Sequence, residues 1–274
     1  MEMIIFQSLG GLGLFLFGMK IMSEGLQKVA GNKMRQILSI VSNNRFVGCG
    51  MGAVVTSVIQ SSSATTVMLV GFVDAGLMSF VQATGVVLGA NIGTTVTAQL
   101  IAFKITAYAL PAIAAGVLLK FFLGRRKWIY VGDVLLGFGL IFFCLATMQD
   151  GFAPLKDHPS FVALFTRFNA DDMLSISLCI LVGTIMTMIL QSSSATIGVT
   201  MALASQGLLN FEASAALILG DNIGTTITAQ LASIGASVNA RRTARAHAIF
   251  NVLGVLLIIA FFPLFLTIVI WITG

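Results

Sequence analysis

Long apolar runs recur along the chain and are parted by short stretches in which Lys, Arg and Asp collect. Runs of roughly 17 to 25 residues cross a ~30 Å hydrocarbon core as one helix. A lipid-embedded helix satisfies its own backbone, so the pattern predicts a helical bundle rather than a barrel. A first helix is expected over residues 4–22. From residue 46 to 104 the apolar pattern is broken twice, at 60–63 and at 89–95. The pieces between breaks are roughly 10 to 13 residues, about 15 to 20 Å of helix, and too short to span alone. They read as half-helices. Bare N–H and C=O groups cost several kcal/mol each in lipid, so breaks at membrane depth should line a site enclosed by protein or reached by water. A helix over 108–123, with Pro111 near its start, ends this part of the chain. The order then returns as a helix over 129–148, a polar loop reaching Asp172, half-helices over 178–234, a basic turn at Arg241 and Arg242, and a last helix over 247–270.

The breaks are where the chain repeats itself. Gln-Ser-Ser-Ser-Ala-Thr begins at Gln60 and again at Gln191, and the stretch from Gly89 to Leu100 returns from Gly220 to Leu231 with two differences. Both pairs are offset by 131 residues, which identifies a tandem duplication, residues 1–124 and 125–274. It begins at the first helix, since Gly13-Leu-Phe-Leu-Phe is echoed by Gly139-Leu-Ile-Phe-Phe. That pair is offset by 126, so the second copy carries five more residues in its following loop, where insertions are tolerated.

Loop charge says how the copies are related. Residues 26–47 hold Lys28, Lys33, Arg35 and Arg45 without an acid, whereas residues 149–172 hold Lys156 and Arg167 against Asp150, Asp157, Asp171 and Asp172. Equivalent loops of opposite bias belong on opposite sides of a membrane. The expected fold is therefore an all-α integral membrane protein of two inverted-topology repeats, with broken or re-entrant helices meeting at a midplane site. The Lys and Arg count places both termini outside.

Composition narrows the function classes. With 57% hydrophobic and 9% charged residues and a mean hydropathy of +1.01, a soluble domain is excluded. The net charge of +5 sits in short loops, which fits membrane orientation rather than nucleic acid. Residues 1–25 lack a basic n-region and a cleavage site and read as a retained helix. Cys49, Cys144 and Cys179 stand singly in apolar runs and read as reduced structural thiols.

Half-helix N-termini aim unpaired N–H groups and partial positive charge at the bundle centre, which suits an oxyanion, while freed carbonyls and hydroxyls suit a small cation. Gln60, Ser61, Ser62 and Ser63 with Gln191, Ser192, Ser193 and Ser194 are the candidates for the anion. Thr65, Thr66, Asn91, Thr94, Thr95, Thr196, Asp221, Asn222, Thr225 and Thr226 are the candidates for sodium. The bland alternative, small residues at helix crossings, is common in membrane bundles, but two matched pairs of motifs interrupting apolar runs outweigh it. Asp221 stands where the first copy has Ala90, and an ionisable group at that depth is either functional or caps the following half-helix. Asp74 and Asp133 lie beside expected loops within reach of water, and Lys20 with Glu24 reads as an interfacial pair. His158 and His247 have no partner spacing for a transition metal or a dyad, and no enzyme constellation is present.

In the Gln-Ser-Ser-Ser pair, the two Asn-Ile-Gly-Thr-Thr stretches and the run from Arg241 to Asn251, the chain resembles the type II sodium/phosphate cotransporter family, bacterial members in particular. The resemblance covers nearly the whole chain. It implies sodium-coupled uptake of inorganic phosphate through a multi-pass protein of the cell (inner) membrane, with sodium the coupling ion and no cofactor. The two Gln-Ser-Ser-Ser motifs would form the substrate and sodium sites, and a homo-oligomer is compatible with the sequence. Other readings are a carrier for sulfate or a carboxylate, which the same helix ends could hold, and a non-transporting membrane or channel component.

Overall fold

The computed structural model describes residues 2–30, 44–103, 106–123, 125–158, 161 and 168–273, which are helical almost throughout. In chain order the helices are α1 (Glu2–Ala30), α2 (Arg45–Ile59), α3 (Ser62–Asp74), α4 (Phe80–Ala102), α5 (Ala109–Phe122) and α6 (Arg126–Phe152). They continue with α7 (Met173–Leu190), α8 (Ser193–Ser205), α9 (Phe211–Gly224), α10 (Thr226–Ala232), α11 (Val238–Ala260) and α12 (Phe262–Thr273). Among the described residues, α1, α4, α6, α7 and α11 supply five segments long and apolar enough to cross a membrane. Lys33, Arg35, Lys104 and Arg167 lie outside the described residues.

The duplication reappears in the caps and turns. Ser79 opens α4 by accepting from Gln82 N, with the Gln82 side chain returning to Ser79 N, and Asn210 opens α9 by accepting from Ala213 N. Between α3 and α4 the chain turns at Gly76 and between α8 and α9 at Gly207, each with φ +71°, a conformation open to glycine without steric cost. Each of these equivalent pairs is 131 residues apart, so the duplicated sequence makes duplicated hairpins.

Close helix contact rests on glycine, as it must where lipid provides no hydrophobic drive for helices to associate. α2 lies along α4, and α7 along α9, in the same register. A Cβ on Gly52 would stand 2.1 Å from Val86 O, and one on Gly183 the same 2.1 Å from Leu217 O. The other helix of each pair answers with Gly89 against Cys49 O and Gly220 against Ile180 O. α1 packs on α6 through Gly11, Gly18 and Gly25, a heptad spacing that keeps them on one face, and α6 meets α5 where Gly132 and Gly116 face each other's backbone. Between the copies, α1 packs on α6, α8 packs on α1 and α4, and α11 packs on α3 and α4.

Several expectations are corrected. No break occurs at 89–95, because α4 runs unbroken through Asn91, Gly93, Thr94 and Thr95. The threonine hydroxyls fold back onto helix carbonyls, Thr94 to Ala90 O at 3.1 Å and Thr95 to Ile92 O at 2.7 Å, and Gly93 serves close packing against Ala53 and Thr56. In the second copy α9 and α10 meet at Thr225, whose φ −58° and ψ −27° remain helical. Arg241 and Arg242 form no turn. They lie in α11, and the last apolar stretch is instead divided at Phe261, two residues before Pro263. Glu24 pairs with Lys28 at 3.7 Å rather than with Lys20, the order in which the acid precedes the base by four residues and agrees with the helix dipole. Asp133 is buried and ion-paired with Lys120 at 2.7 Å across α5 and α6. Asp74 is exposed and caps α11 by accepting from Ser237 N at 2.7 Å. Cys49, Cys144 and Cys179 are free.

Candidate functional site

The site begins with two glutamines in a conformation that side chains rarely adopt. Gln60 ends α2 at φ 58°, ψ 27°, and Gln191 ends α7 at φ 53°, ψ 26°, both left-handed. Glycine is the usual residue there, and a side chain costs roughly 1–2 kcal/mol. The glutamine amide offsets part of that cost by reaching back one turn. Gln60 Nε2 donates to Ser57 O, and Gln191 Nε2 to Met188 O, each a carbonyl that the helix end leaves without an intrahelical donor.

The next residue reverses the chain into a new helix. Ser61 (φ −153°, ψ 105°) and Ser192 (φ −150°, ψ 107°) are N-caps whose hydroxyls accept from Ala64 N at 3.1 Å and Ala195 N at 3.3 Å. The N–H groups of Ser62, Ser63, Ser193 and Ser194, the first two positions of α3 and α8, have no carbonyl to meet within their helices. Both helix starts face one cleft of about 50 Å³, lined by Gln60, Ser61, Ser62, Ser63, Gln191, Ser192, Ser193 and Ser194 together with Thr94 and Thr97 of α4. One water needs only about 10–15 Å³ on such a measure, so the cleft has room for a small ion. Its lining is hydroxyl, amide and backbone, with no Lys or Arg.

The hydroxyls behind the cleft differ between copies. Thr56 and Thr65 bond across the first break at 3.0 Å, and Thr187 and Thr196 across the second at 2.8 Å. Only the second copy adds a carboxylate. Asp221, 2% exposed, has Oδ1 2.7 Å from Thr187 Oγ1, and its backbone carbonyl accepts from Thr225 Oγ1 at 2.9 Å. Thr225 Oγ1 in turn lies 2.5 Å from Ser193 Oγ. Either hydroxyl can be the donor of that pair.

The remaining candidates sit elsewhere. Thr66 is buried and donates to Ser63 O at 3.1 Å, and Thr226 donates to Ile223 O at 2.8 Å. Thr95 and Asn222 are exposed. Asn91 turns to α11, its Nδ2 3.3 Å from Asn251 Oδ1 and its Oδ1 3.3 Å from His247 Nε2. That bridge was not legible in the sequence, because His247 stands 156 positions from its partner and has no local pattern. Ser23 of α1 was also missed, and it donates to Ile59 O at 2.5 Å, supporting the end of α2 at the break. Thr97 was missed as a cleft residue. Its distance of three residues from Thr94, one helical turn, is the signal that would have found it.

Helices of spanning length around a small polar cleft built from two helix N-termini define a polytopic membrane protein. Residues 14–150 and 163–269 match the Na+/Pi-cotransporter family, and the chain belongs to it. It is a member of a transporter family, and a multi-pass membrane protein. YqeW of Bacillus subtilis (strain 168), an uncharacterized protein, is 34% identical over 90% of this chain and 79% of its own length. YjbB of Escherichia coli (strain K12), provisionally named an inorganic phosphate export protein, is 30% identical over 92% of this chain, which spans 46% of it. Sodium-dependent phosphate transport protein 2B of Homo sapiens is 34% identical over 34% of this chain and 14% of its own. No solved structure matches the chain.

Proposed function

We propose that this protein is a secondary transporter that carries inorganic phosphate across the membrane with sodium, in the direction of uptake. One observation carries the reading: the N-termini of α3 and α8, from duplicated motifs, face a single cleft without basic side chains. Backbone N–H groups and helix dipoles suit phosphate oxygens, while the missing fixed cations call for a neutralising ion that enters with the substrate. Phosphate is assigned to Gln60, Ser61, Ser62, Ser63, Gln191, Ser192, Ser193 and Ser194. The sodium assignment narrows to Thr94, which lines the cleft, and to Thr225 and Asp221, which are joined to the cleft residue Ser193; Thr65, Thr66, Asn91, Thr95, Thr196, Asn222 and Thr226 neither line the cleft nor bond to a side chain that does. Asp221 reaches it through Thr225 and Ser193.

Phosphate export is the second reading, favoured by the name of YjbB. A coupled carrier is reversible, and its direction is decided by the gradients. Uptake of radiolabelled phosphate into proteoliposomes tests both readings. Transport should follow an imposed sodium gradient and fall to background when choline replaces sodium. Equal rates in choline would remove sodium coupling, and transport indifferent to the sign of the sodium gradient would remove uptake. In the same assay Asp221→Asn keeps the shape but loses the charge, and should raise the sodium concentration for half-maximal transport with less effect at saturation. An unchanged sodium dependence would leave Asp221 a packing role only.

The repeats, residues 1–124 and 125–274, are proposed to be inverted about the midplane. Single cysteines at Lys33 and Asp157, in a background without the native three, should then react with an impermeant reagent from opposite sides. Reaction of both from one side would end that proposal.

A further inference from the structure

We infer that Gln60 makes the cleft selective for a protonated oxyanion, its side-chain oxygen accepting a hydrogen bond from the P–OH group of phosphate, a bond that fully deprotonated sulfate cannot make. The inference rests on the phosphate reading above. Gln60 is 6% exposed, and its Oε1 has no hydrogen-bond partner. The amide cannot be turned to place nitrogen there, because Nε2 is held by Ser57 O, which only accepts.

Gln60 forms part of the wall between the polar cleft and a second space of about 10 Å³ bordered by Met19, Met22, Phe138 and Phe142. That space is apolar and at the lower limit for a single water. The cleft is the polar space that Gln60 borders, and the donor is assigned to it. A buried acceptor favours a ligand that brings it a proton and opposes one that presents a lone pair, so it selects by rejection as well as by attraction.

The second copy sets no such demand. Gln191 has the same backbone and the same tie to its own helix but is exposed, so its oxygen is not sealed without a partner as that of Gln60 is. Selectivity is therefore carried by one half of a duplicated motif.

Competition against radiolabelled phosphate in proteoliposomes tests this. With the unsubstituted protein, arsenate, which keeps an As–OH, should compete and sulfate should not. Gln60→Gly removes the acceptor and suits the left-handed backbone, and should narrow the preference for arsenate over sulfate by roughly ten- to a hundred-fold. Gln191→Gly should narrow it far less. If Gln60→Gly no longer transports, thermal shifts of the detergent-solubilised variant with phosphate and with sulfate read the same preference. Sulfate competing as well as arsenate in the unsubstituted protein overturns the inference, as does an unchanged preference in Gln60→Gly. A raised sodium requirement with the preference intact makes Oε1 a cation ligand and also overturns it. Failure of the unsubstituted protein to transport phosphate at all strikes the phosphate reading itself.

Discussion

Gly89→Ala and Gly220→Ala should each lower the melting temperature of the detergent-solubilised protein by many degrees, or leave no monodisperse protein. A Cβ at Gly89 would stand 1.8 Å from Cys49 O and 2.8 Å from Ala53 N, and one at Gly220 would stand 2.0 Å from Ile180 O and 2.8 Å from Thr184 N. Those neighbours are backbone, so relief requires the two helices to separate. Overpacking a tight contact costs about 1–3 kcal/mol where side chains can adjust, and more where they cannot. Separation would also pull Asp221 from Thr187, now at 2.7 Å across the same crossing. Gly50→Ala and Gly71→Ala are the controls, since nothing lies within 4 Å of either added methyl, and both should melt near the unsubstituted protein. Equal stability for Gly220→Ala and Gly71→Ala would contradict the close approach of α7 and α9.

Ser62→Ala and Ser193→Ala should each weaken phosphate transport roughly ten- to a hundred-fold, the equivalent of a hydrogen bond to a charged group at about 1.5–3 kcal/mol. The two differ in what else they disturb. Ser62 lines the cleft, and no side-chain hydrogen bond among the described residues uses its Oγ, so Ser62→Ala should fold as well as the unsubstituted protein. Ser193→Ala gives up the bond to Thr225 at 2.5 Å, worth about 1 kcal/mol, and should melt slightly lower and shift sodium dependence as well. Acting on one bound ion, the pair should not be additive, and the double variant measures their coupling. Well-folded single variants with normal transport would return both serines to packing.

The helix ends at Ile59 and Leu190 were legible in the sequence because Gln-Ser-Ser-Ser replaces apolar residues with local capping chemistry: a serine that accepts from its own helix start and a glutamine that reaches back one turn. The Asn-Ile-Gly-Thr-Thr stretches look just as disruptive, yet they stay helical. Their threonines satisfy themselves on helix carbonyls, and a neighbouring helix fills the space beside their glycines. Propensity alone misleads there, because a Gly–Thr cluster meets the needs of a close crossing as readily as those of a break.

The sequence by itself determined what is local or periodic: spanning helices from the length of apolar runs, the duplication from a shared offset of 131 residues, and the two breaks from their caps. Only the tertiary structure decided what depends on distant packing. It joined both breaks in one cleft, drew Thr97 into it, and turned Asn91 away to His247, 156 residues along. It also covered Gln60 while leaving Gln191 exposed. Identical motifs have identical local conformations, but burial depends on which helices arrive from elsewhere, and α2 and α7 end among different neighbours.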